Sequence, residues 1–135
     1  MADEYIIHTE LGDISFQESV FESIVLAAAK PYLDEEKLYF DRRRGWGKSL
    51  RGNRNDEMAG VDIWTDEEGT HFEVPVVLRF GVSIKGVTGD LIEGIRKGFR
   101  KLTGEEPASI LVQVTGTLSK QLIRRDIEVE WHRES

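Results

Sequence analysis

Between Val74 and Gly116 the chain reads Val-Pro-Val-Val-Leu-Arg-Phe-Gly-Val-Ser-Ile, continues with a long helical pattern closed by Leu-Thr-Gly, and then runs Ser-Ile-Leu-Val-Gln-Val-Thr-Gly. A β-branched apolar run, a glycine turn, an amphipathic helix and a second apolar strand follow one another without a gap. Such a unit restricts the fold to helices layered on a sheet. In its helix, Ile84, Val87, Leu91, Ile95, Phe99 and Leu102 recur at spacings of three and four, one face of an α-helix. Gly104 is the expected C-cap, preceded by Arg100 and Lys101, cations that suit a helix C-terminus. Gly94 and Gly98 each cost about 1 kcal/mol of helix propensity against alanine. They predict close approach of another backbone, and so a candidate self-association face.

The flanking chain supplies the rest of an α+β domain. Tyr5–Ile7 and Ile14–Phe16 are short β-type segments around Gly12. Ser15 stands three residues before Glu18, the spacing of a capping box, which predicts a first helix over about 17–30 ended by Pro31. That helix is apolar over most of its circumference, as befits one buried on several sides or meeting another subunit. Lys37–Phe40, Val61–Trp64, His71–Phe80 and Ile110–Val114 read as strands, and Ile127, Val129 and Trp131 alternate with acids and His132 in a last one. Asp66–Gly69 is the turn of a hairpin. Pro75 cannot donate to a ladder and predicts an edge or irregularity. The expected fold has two helices on one face of a mainly antiparallel or mixed sheet of four to five strands, in the order β-α-β-β-α-β-β. All 135 residues suit a single domain, 1–135.

Charge is distributed unevenly. Arg42, Arg43, Arg44, Lys48, Arg51 and Arg54 bring six positive charges with no acid among them, in a chain of net charge −7, which leaves −13 on the remainder. The segment 42–55 has Gly45, Gly47 and Gly52 and almost no apolar residue except Trp46, so it predicts a mobile basic loop. Its arginines and Lys48 suit phosphate, and Trp46 suits stacking on a base or resting at a lipid headgroup. A nucleic acid or an anionic lipid is therefore one candidate ligand. The plain alternative is a solvated loop pairing with the protein's own acids. Gly45-Trp46-Gly47-Lys48-Ser49 ends like a nucleotide-binding loop, but Arg42 stands where the motif needs glycine and no periodic helix follows.

Other chemistry is sparse. Cysteine is absent, which removes disulfides, thiolate metal sites and cysteine catalysis. His8, His71 and His132 lack metal-type spacing, and the carboxylates of 35–36, 66–68 and 105–106 fall in turns. Ser83 has no nucleophile context, and Trp64 and Trp131 read as core or interface residues. No catalytic, cofactor-binding or metal-ligating residue is assigned, and a non-enzymatic protein is expected. The longest apolar run, Ile24–Ala29, is far below the roughly 20 residues of a membrane span. The acidic N-terminus is unlike a secretory signal, so a cytoplasmic location is expected.

Phe80-Gly81-Val82-Ser83-Ile84, the helix and Leu102-Thr103-Gly104 resemble the alkaline shock protein family, envelope stress response proteins typical of Gram-positive bacteria. Gly12-Asp13-Ile14 before a helix rich in Ile and Ala is similar to the family's opening. The likeness covers about residues 10–116. The family's Val-x-Gly-Val-like segment is replaced here by Tyr32-Leu33-Asp34 and the arginine–glycine loop, and the strand ending at Trp131 lies beyond the family's usual end. The resemblance implies a cytoplasmic, self-associating scaffold or adaptor, held near the membrane by an anchoring protein partner and serving envelope homeostasis. It carries over no catalytic residues.

Overall fold

In a computed structural model, residues 4–9, 12–41 and 60–134 are described, with side chains from residue 19 onward. The basic loop 42–55 lies outside them. The elements are β1 (Glu4–Thr9), β2 (Gly12–Gln17), α1 (Glu18–Asp34), β3 (Leu38–Phe40), β4 (Asp62–Asp66), β5 (Gly69–Arg79), α2 (Ile84–Thr103), β6 (Ser109–Leu118) and β7 (Leu122–His132). β1 and β2 form a separate antiparallel hairpin. The other five strands form one mixed sheet in which β3 and β4 both pair with β5, followed by β6 and β7. β5 and β6 are parallel, joined by the α2 crossover, and the other pairs are antiparallel. The α+β class, the two helices and the mixed five-stranded sheet agree with the sequence.

Three local expectations needed correction. Ser15 does not cap a helix; its backbone pairs with Ile6 inside β2, and α1 starts at Glu18 directly after that strand. Pro31 does not stop α1, which continues to Asp34. At the last turn a proline forfeits one backbone hydrogen bond, a loss a helix anchored by buried Phe21, Val25 and Ala29 withstands. β5 ends at Arg79, leaving Phe80 in the following turn. Pro75 does mark an irregularity. It sits in the interval between the stretches of β5 paired to β4 and to β3, where Asp41 N donates to its carbonyl.

Both helices lie on one face of the sheet. Phe72, Val74, Val76 and Leu78 of β5 and Ile110, Val112 and Val114 of β6 meet Phe21 and Val25 of α1 and Leu91, Ile95 and Phe99 of α2. Phe21, Phe72 and Phe99 make its aromatic centre, with ring centroids 5.4 to 6.2 Å apart. The caps of α2 explain its flanking residues. Ser83 Oγ accepts from Gly86 N, while Gly104 adopts φ 81° and donates its N–H to Arg100 O. Buried Thr103 donates to Phe99 O and accepts from Glu105 N, stitching the helix end to the next loop.

Candidate interaction surfaces

Gly94 and Gly98 face α1 of the same chain. A Cβ on Gly94 would stand 2.8 Å from Ala28 Cβ and 3.3 Å from its Cα, and one on Gly98 would stand 2.8 Å from Ile24 Cγ2. The close approach that the glycines predict is thus made between α1 and α2. Tyr32 adds a hydroxyl hydrogen bond to Asp90 across the same seam. That bond, with burial and the Asp90 and Glu35 charges, raises the phenol above its ordinary pKa.

The sheet face away from the helices is more polar. Trp64, His71, Ser109 and His132 form one cross-strand row. Trp64 stacks on the His71 imidazole at 5.1 Å. His71 Nε2 donates to Asp66 Oδ1 at 2.9 Å, and Nδ1 lies 2.7 Å from Ser109 Oγ. The His71 hydrogen bond holds the Asp66 carboxyl below its ordinary pKa, aided by the Glu68 and Gly69 backbone and opposed by desolvation. Glu68 lies close enough that its carboxylate and the Asp66 and His71 ligand atoms fall within 4.8 Å of one another. Sequence reading missed this grouping, whose only signal is Asp-x-Glu-x-x-His around a hairpin turn. The His71 ring thus bridges Ser109 and Asp66. Ser109 pairs with His71 of β5 on one side and with His132 of β7 on the other.

Further along this face a cavity of about 560 Å³ is lined by Asp41, Gln113, Thr115, Arg124, Arg125, Asp126 and Glu128. Thr115 Oγ1 donates to Asp41 at 2.6 Å on its buried floor. A bulge makes this possible: between Val114 and Gly116 the register with β7 jumps from Ile127 to Arg124, so consecutive arginines line one cavity.

The end of the sheet where β5 gives way to α2 is different again. Phe80 is 63% exposed, Ile123 43% and Leu122 36%. Phe80 N donates to Leu118 O, and Leu118 pairs with Leu122 across the β6–β7 hairpin. The three apolar side chains therefore share one end of the sheet. Exposed cations surround them: Lys85 on the first turn of α2, Lys120 at the hairpin tip, and Arg124 and Arg125 on β7. Arg79 is there too, 3.8 Å from Glu36. Towards the opposite end Arg96 lies 4.4 Å over Trp131 and pairs with Glu93 and Glu106, and Arg100 pairs with Glu106, while Lys97 and Lys101 stand exposed on the last turns of α2.

Of the basic-loop residues, Arg42, Arg43, Arg44, Trp46, Lys48, Arg51 and Arg54 all lie outside the described residues. No helix among the described residues is long and apolar enough to cross a membrane. The layered fold, with the Gly81 turn and the capped α2 crossover, defines a small α+β domain. The chain belongs to the alkaline shock protein 23 family, of cell envelope-related function, whose family model matches residues 6–119. Comparison with curated proteins and with solved structures gave no match.

Proposed function

We propose that this envelope-related protein is a non-enzymatic, self-associating scaffold or adaptor, acting on the cytoplasmic side of the membrane through an anchoring partner. Family membership supplies the envelope context. The observation that carries the assembly reading is the one-sided layering. Helices cover one face of the sheet, while Tyr39 and Trp64 on the other face, with Phe80, Leu122 and Ile123 at its end, are exposed large apolar residues. Apolar groups presented outward suit contact with other macromolecules rather than capture of a small molecule. The glycine seam is used within the chain, so assembly is assigned to the sheet. Light scattering across a concentration series should show association; a strict monomer at high concentration would overturn the reading.

The charge asymmetry favours a second reading, a nucleic-acid or anionic-lipid binding module built on 42–54. Six phosphate contacts would give a log–log salt slope of roughly −4 to −5. Affinity unchanged in an Arg42→Ala, Arg43→Ala, Arg44→Ala variant would remove it.

A further inference from the structure

We infer that the Phe80 end of the sheet is a contact surface for anionic lipid bilayers. This rests on the envelope reading but needs neither the basic loop nor self-association. The apolar part is a projecting tip rather than a groove: Phe80 stands in the turn after β5, and Leu122 and Ile123 begin β7 after the hairpin. The polar part is cationic. Among the described residues, no ion pair engages Lys85, Lys120, Arg124 or Arg125, although the chain as a whole carries −7. Arg124 and Arg125 share a cavity with Asp41, Asp126 and Glu128, none within ion-pair distance of them, and Glu36 is occupied with Arg79.

Lys97 and Lys101 on the last turns of α2 are also without an ion pair among the described residues, but only the Phe80 end sets such cations beside the most exposed large apolar residue described, the combination that a negatively charged, oil-backed surface selects. Phe80, Leu122 and Ile123 would enter the headgroup–acyl boundary while the cations meet lipid phosphates. A protein partner of standard affinity would require roughly 800 Å² on each side, more than three apolar side chains at a turn and a hairpin supply. A bilayer sets no such minimum, because each inserted group and each charge contributes independently. The surface thus provides weak, reversible docking that an anchoring partner or assembly would reinforce.

The test is co-sedimentation of the full chain with vesicles of phosphatidylcholine alone or mixed with phosphatidylglycerol, alongside light scattering of the same samples. The wild type should bind the anionic vesicles and not the neutral ones. Phe80→Ser should weaken binding about tenfold, and each of Lys85→Glu and Lys120→Glu at least fivefold. These positions are exposed, and unchanged circular dichroism and melting temperature establish that the variants are folded. Absence of wild-type binding to anionic vesicles, or binding equal in all three variants, would overturn the inference. So would binding that is lost in Arg42→Ala, Arg43→Ala, Arg44→Ala while the three tip variants retain it. Association without vesicle binding would leave the scaffold reading standing and refute this one; vesicle binding by a strict monomer would do the reverse.

Discussion

At the α1–α2 seam, Gly94 and Gly98 give up side chains so that two helices can touch; at the far end of the sheet, Phe80, Leu122 and Ile123 keep large side chains that the core does not take in. The seam gives up about 2 kcal/mol of helix propensity for contact, a loss set against the close packing of α1 on α2. The Phe80 end leaves apolar area in water, which makes sense where a contact is made outside it. The contrast separates what holds this molecule together from what it offers to others.

The seam should fail first under substitution, and unevenly. A Cβ at position 94 meets backbone as well as side chain, so Gly94→Ala should destabilise by about 2 kcal/mol, overpacking exceeding the propensity gained. At position 98 the obstacle is one branch of Ile24, which is able to rotate, and Gly98→Ala should fall within about 1 kcal/mol of the wild type. Urea unfolding midpoints compare the two. Equal costs would mean that the seam is not held by the Ala28 contact.

The boundary between the two regions has its own weak point. Thr117 Oγ1 is buried without a hydrogen-bond partner among the described residues, in the cross-strand row that joins Leu78 of the core to exposed Ile123. An orphaned hydroxyl costs about 1 kcal/mol or more. Thr117→Val should therefore raise stability by about 1 kcal/mol, read from the same midpoints. A loss would show that the hydroxyl has a partner in solution.

Phe80→Ser, the counterpart of the glycine variants, should change stability by no more than about 0.5 kcal/mol, because a side chain 63% exposed contributes little to the core. A large loss in thermal melting would place Phe80 with the core and erase the comparison.

How far each region can be read from sequence follows the same division. α2 was legible because its apolar positions obey one period and its ends carry Ser83 and Gly104, local signals needing no tertiary context. The glycines were legible as a close approach, but whether the partner was α1 or another chain depended on packing that spacing does not encode. Phe80 reads as the last residue of a strand; only the turn at Gly81, with φ 93°, turns it out to solvent. Ser15 and Pro31 misled because a strand running straight into a helix, and a helix anchored by its core, override local preferences. The grouping of Asp66, His71 and Ser109 joins a hairpin turn to a strand 38 residues beyond His71, a register no local pattern contains.

That grouping gives the smallest expected effect, and its direction can be worked out. The His71 hydrogen bond holds Asp66 below the 3.8 of an unperturbed carboxyl, so the folded state binds this proton less readily than the unfolded chain. Its contribution is complete above that value and disappears as pH falls through the lower, folded-state pKa. Tyr32 is the mirror case: raised above 10.0 chiefly by its bond to Asp90, it contributes below the unfolded value and loses that contribution as pH rises through the folded one. His71→Ala should therefore return the Asp66 carboxyl titration, followed by carbon-detected NMR, towards its ordinary position while leaving the alkaline limb of the stability profile untouched. An Asp66 titration that does not move would mean that the hairpin backbone, not the imidazole, sets its charge. The row of Trp64, His71, Ser109 and His132 would then be a packing feature of the open face with no electrostatic hold on the turn.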